Sequence, residues 1–145
     1  MHLAKIPPWE VPIASESICS FESLVTEIVD AAFQVKKRLV PGFLESIYEK
    51  ALIIELTERG LDVQSQVPIE VDYKGHVIGE FKLDLLVEDK VIVEVKAVNQ
   101  LLTVHSLQLV NYLTAAHKDV GLLINFGEEQ FVAKRKYRLY TPTKR

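Results

Sequence analysis

The sequence predicts an α/β domain with a mixed central sheet flanked by helices, and three observations predict it. Two helical stretches come first and a run of short β-branched strands follows them. A third helical stretch then leads to Val120-Gly121-Leu122-Leu123-Ile124-Asn125-Phe126, a continuous apolar run suited to a strand covered on both faces. The whole chain has 145 residues, enough for one domain with a real core.

Residues 1–19 hold three of the six prolines and the single tryptophan, and read as an extended arm that Trp9 anchors; residues 20–145 read as the domain. A helix is expected from Ser20, with Ser20 or Ser23 as N-cap. Its apolar stripe is Leu24, Val25, Ile28, Val29, Ala32, Val35 and Leu39. Val40-Pro41-Gly42 breaks it. Phe43 to Arg59 reads as a second helix, stopped by Gly60 at C′. Strands are expected at Val63–Gln66, Ile69–Tyr73 and His76–Val87, with a Lys74-Gly75 turn, a bend or edge at Pro68 and a bulge near Gly79. The third helix runs from Thr103 to about His117, and a last strand from Phe131 to Tyr140.

Composition narrows the function classes. The formal charge of -3 argues against coating nucleic acid by net charge. Basic residues nevertheless crowd the end: Lys134, Arg135, Lys136, Arg138, Lys144 and Arg145, with Tyr137 and Tyr140 among them. They suit either a phosphate backbone or a charge-protected edge strand. One cysteine, Cys19, excludes an internal disulfide and fits a reducing cytoplasm, and no apolar run approaches a membrane span.

The chemistry concentrates at one hairpin. Phe81 to Val87 and Val91 to Lys96 flank Glu88-Asp89-Lys90, a short polar tip. Pairing Val87 with Val91 sets Asp84 opposite Glu94 and Lys82 opposite Lys96. Alternation then puts Glu94 and Lys96 on one face. Ionised carboxylates in an apolar sheet are costly unless they are paired, hydrogen-bonded or bound to a metal. Mg²⁺ with its hard oxygen ligands would relieve both the burial and the mutual repulsion of Asp84 and Glu94. A salt bridge from Lys96 to either acid serves the same spacing. Glu45 suits a helix first turn, Tyr48 a core aromatic, and Gln108 and Tyr112 share one helix side.

Asp84 followed by Glu94-Val95-Lys96 resembles the Asp…(Asp/Glu)-x-Lys signature of the PD-(D/E)XK nuclease superfamily, whose core is restriction-endonuclease-like. Gly42-Phe43-Leu44-Glu45-Ser46-Ile47-Tyr48 resembles the pattern that names its GxxExxY branch, and Gln108-Leu109-Val110-Asn111-Tyr112 resembles a Gln-x-x-x-Tyr motif of recombination exonucleases. The likeness spans about Phe21 to Phe126. Leu83 departs from it by replacing a proline, Val40 by replacing a glycine and Lys36 by replacing a histidine.

The resemblance implies Mg²⁺-dependent (or Mn²⁺-dependent) phosphodiester hydrolysis of nucleic acid, with DNA favoured over RNA. Asp84, Glu94 and Glu45 would be metal ligands and Lys96 would assist the attacking water. Gln108, Tyr112, Tyr48 and His105 would touch substrate or support the catalytic side chains. A homodimer is one arrangement by which so small a domain could cut two strands. The alternatives are a nucleic-acid- or protein-binding module that keeps the fold without significant catalysis, and a structural subunit with an apolar docking patch.

Overall fold

The computed structural model describes residues 15–138, with side chains from Phe21 onward. Trp9, the arm around it and the final basic pair Lys144 and Arg145 lie outside the described residues. The elements are α1 (Ser15–Arg38), α2 (Glu45–Glu58), β1 (Val63–Tyr73), β2 (His76–Val87), β3 (Val91–Lys96), α3 (Thr103–Ala116), β4 (Val120–Asn125) and β5 (Val132–Tyr137). The first helix is thus already under way at Ser20, and the expected arm boundary at residue 19 falls inside it.

The five strands form one sheet in the order β1-β2-β3-β4-β5. Only β3 and β4 run parallel, joined by the α3 crossover, which makes the sheet mixed. Two apolar clusters cover its faces. Leu24, Ile28, Val35, Tyr48, Leu52 and Leu56 of α1 and α2 pack on Val91, Val93, Val95, Val120, Leu122 and Ile124. Leu109 and Leu113 of α3 pack on Leu83, Leu86, Ile92 and Leu123. Gly121 permits that close approach, because a Cβ there would stand 2.9 Å from Leu109 Cδ1.

Local chemistry explains the connections. Gly60 takes φ 79°, and Leu61 N donates to Leu56 O, the C-terminal motif that Gly60 foretold. Lys74 and Gly75, both left-handed, turn β1 into β2. A register shift between Val71 and Asp72, opposite Gly79 and Val77, is the expected bulge. The two stretches expected before and after Pro68 are one strand, and β1 tolerates the proline as an edge strand. At the β2–β3 tip Glu88 and Asp89 both have φ 54°, and Lys90 N donates to Val87 O at 3.0 Å. That is a glycine-free tight turn. Glu88 steadies it by accepting from Asp62 N at 2.7 Å and donating its own amide to Asp62 O.

The candidate site at the break in the sheet

The expected hairpin register holds for Val87↔Val91, Leu86↔Ile92 and Leu85↔Val93, and then stops. Asp84 and Glu94 are not a ladder pair, and Lys82 pairs with Pro68 on β1 rather than with Lys96. Carboxylates replace the missing backbone bonds. Val95 N donates to Asp84 Oδ2 at 2.8 Å, and Asp84 N donates to Glu94 Oε1 at 3.3 Å. The two strands are therefore splayed and bridged by the two acids.

The other neighbour of β2 is irregular at the same level. Ser65 pairs with Leu85 and Val67 with Leu83, which leaves Gln66 opposite Asp84, unpaired and left-handed at φ 53°. Strand faces exchange here. Leu85 and Val87 belong to the α1/α2 cluster, whereas Leu83 belongs to the α3 cluster, contrary to simple alternation. On β1, Val63 packs with the first cluster and Val67 with the second. Asp84 sits at the pivot.

Glu94 is buried, with 4% of its surface exposed. Burial, the Asp84 charge and a hydrogen bond shared with Asp84 push its pKa up to about 9, against a weaker pull from Lys96. Each acid has given one oxygen to a backbone amide. Such a donor set, rich in oxygen and short of positive charge, fits a hard divalent cation. Among the described residues, no three His, Cys, Asp or Glu side chains converge closely enough to hold one ion.

Lys96 leaves the end of β3 on the α3 side, and its amine donates to Gln108 Oε1 at 3.3 Å. Gln108 in turn contacts the Tyr112 hydroxyl, whose pKa rises through burial and through the Glu94 and Asp84 charges. Tyr112 stacks on Phe81 of β2 with ring centroids 4.0 Å apart. Asp84, Glu94, Lys96, Gln108 and Tyr112 are accordingly one constellation. The remaining candidates make contacts of their own. Glu45 is exposed at the start of α2 and joins no three-acid cluster. Tyr48 is fully buried, stacked on Phe126 at 4.9 Å, and its hydroxyl donates to Val40 O at 2.6 Å. It ties the loop before α2 to the core. His105 Nδ1 accepts from Leu102 N at 2.9 Å, capping α3.

Several participants carry no motif signal. Glu49, one turn after Glu45, feels the Asp84 and Glu45 charges, although burial is the largest cause of its raised pKa. Its four-residue spacing from Glu45 was the available clue. Asn125 is fully buried: Val98 N and Gly127 N donate to its Oδ1, and its Nδ2 donates to Val98 O and Glu128 Oε2. Lys36 Nζ donates to the carbonyls of Phe126 and Glu128, fastening α1 to the same turn. A Cβ at Gly127 would overlap the Val98 backbone. These contacts fix the end of β3, where Lys96 begins. Of the basic cluster, Arg135 pairs with Glu22 and Arg138 with Asp119, so part of its charge is spent within the chain.

The sheet order, the helices on both faces and acids at a strand break define a nuclease-like α/β core. A family model for the PD-(D/E)XK nuclease superfamily matches residues 22–138, and the chain belongs to that superfamily. Its members hydrolyse phosphodiester bonds, usually with divalent metals. Among solved structures, the crystal structure of SSO0001 is similar in fold, with TM-score 0.55 and 17% identity over 66% of this chain. The match spans 50% of that protein. No curated protein matches the chain. Among the described residues, no helix is long and apolar enough to cross a membrane.

Proposed function

We propose that the protein is a divalent-cation-dependent nuclease, of the GxxExxY kind, cutting DNA in preference to RNA. The observation that carries this reading is Glu94, buried beside Asp84 where the two carboxylates bridge the break between β2 and β3. Asp84 and Glu94 would hold Mg²⁺ or Mn²⁺. When bound, the ion would acidify a water and neutralise charge on the scissile phosphate. The Lys96 amine, steered by Gln108, would donate to a phosphate oxygen or orient the attacking water. Tyr112 would keep Gln108 in place. Water attacks phosphorus, and one bridging P–O bond breaks.

A second reading, a protein-binding module on the same fold, draws on the exposed Tyr73, Val77 and Ile78 near the β1–β2 turn. Cleavage of labelled single- and double-stranded DNA and RNA with Mg²⁺ and Mn²⁺ separates the two. Wild type should cut, while Asp84→Ala and Lys96→Ala should not. Folded wild type that neither cuts any polymer nor binds metal would favour the binding module.

A further inference from the structure

We propose that Asn125, oriented by Glu128, is a positioning residue for Lys96: its carboxamide takes over where the β3–β4 ladder ends and so holds the amine at the site. The inference rests on the reading of Lys96 as the group that meets the phosphate or the attacking water. At this level β3 has backbone support from one side. Its pairing with β2 stops at Val93, whereas β4 stays with it to Lys96↔Asn125, and Phe126 N donates to Lys96 O at 2.8 Å. A lysine side chain is a flexible four-carbon stem, so where its amine dwells depends on how firmly its backbone is set.

The clamp beyond Lys96 is the Asn125 side chain. A carboxamide presents the donor and acceptor of a peptide group, and Asn125 turns both on Val98. Its Oδ1 accepts from Val98 N at 3.0 Å and its Nδ2 donates to Val98 O at 2.8 Å. Two further bonds fix which way round the amide faces. Gly127 N donates to Oδ1 at 3.1 Å, and the Glu128 carboxylate accepts from Nδ2 at 2.7 Å. All four hydrogen-bonding positions of this buried amide are thereby used, and reversing it would set donor against donor and acceptor against acceptor. Lys36 Nζ, which donates to Phe126 O and Glu128 O, holds the turn that carries Glu128 against α1.

The test compares wild type with Asn125→Ala, Glu128→Ala and Glu128→Gln, each checked by thermal melting. Ile28→Val, in the α1 core, controls for lost stability alone and should leave the readouts unchanged. Those readouts are the NMR order parameter of the Lys96 side chain, kcat and KM on labelled DNA, and Mn²⁺ binding by calorimetry. Asn125→Ala and Glu128→Ala should each lower the Lys96 order toward that of the exposed Lys50 and lower kcat about tenfold, with KM and the Mn²⁺ Kd within about twofold of wild type. Glutamine keeps an acceptor for Asn125 Nδ2, so Glu128→Gln should restore both order and kcat. In a Lys96→Ala background the alanine variants should cost nothing further. Folded alanine variants with wild-type Lys96 order and kcat would overturn the inference, as would an equal loss in the Lys96→Ala background. If Asn125→Ala does not fold, the two Glu128 variants decide. A wild type that cuts no polymer would overturn the nuclease reading alone, because Lys96 order still reports whether Asn125 positions it.

Discussion

Strand β3 has two unlike neighbours. Toward β4 it pairs along its whole length, from Val91↔Val120 to Lys96↔Asn125. Toward β2 it pairs only from Val91 to Val93, and carboxylates span the rest. One side is closed by backbone, a buried asparagine and a glycine that admits no side chain. The other is held by groups that titrate. The contrast teaches that this site is a place where regular pairing ends, with its position fixed by a neighbour where pairing does not end.

The largest expected effect comes from the open side. Asp84→Ala should lower cleavage by about 10³-fold or more, and Lys96→Ala by about 10²- to 10³-fold, both read as kcat/KM on labelled DNA. Closing forces can be broken next. Gly127→Ala drives a methyl group into the Val98 backbone and should destabilise the protein by about 3 kcal/mol in urea unfolding. That variant should lose activity through the fold, whereas Asp84→Ala should lose it while still folded.

Titration sharpens the difference further. In cation-free protein the folded pKa of Glu94, about 9, stands above its ordinary 4.5. Between those values the folded chain holds a proton that the unfolded chain has released. This contribution to stability is therefore full below 4.5 and is lost as pH rises toward 9, at a slope of at most about 1.4 kcal/mol per pH unit. Melting in chelator from pH 5 to 9 should show the decline. Glu94→Gln should flatten it, and Mg²⁺ should offset it at the alkaline end. The smallest effect belongs to the hairpin tip. Asp89→Gly suits φ 54° and should stabilise by about 0.5 kcal/mol, after loss of the exposed Lys118 pair.

Much of this architecture was legible. Helix periodicity marked α1, α2 and α3, and β-branched runs marked the strands. The Val87↔Val91 register and the Gly79 bulge followed from alternation and turn chemistry. The Asp84, Glu94 and Lys96 group was legible because charge in an apolar hairpin is conspicuous. What stayed hidden is what propensity does not encode. Gln66 lies in a polar stretch with no hydrophobic pattern, so nothing announced its left-handed backbone. The break at Asp84 depends on side chains replacing ladder bonds, which pairing by alternation overlooks. That the Tyr48 hydroxyl would bond Val40 O and that His105 would accept from Leu102 N was not visible in the motifs that carried them. Arg135 and Arg138 found acids far away in sequence, a matter of tertiary placement alone.

The bond from Val95 N to Asp84 Oδ2 also makes that amide a built-in spectroscopic sensor. Its proton resonance depends on the electron density of one carboxylate oxygen, so it should shift when that oxygen surrenders density to a cation. The neighbouring Val93 amide lies within the regular ladder and gives an internal reference on the same strand. Occupancy of the site could then be followed in solution through a single backbone signal, with no substrate and no label on the nucleic acid.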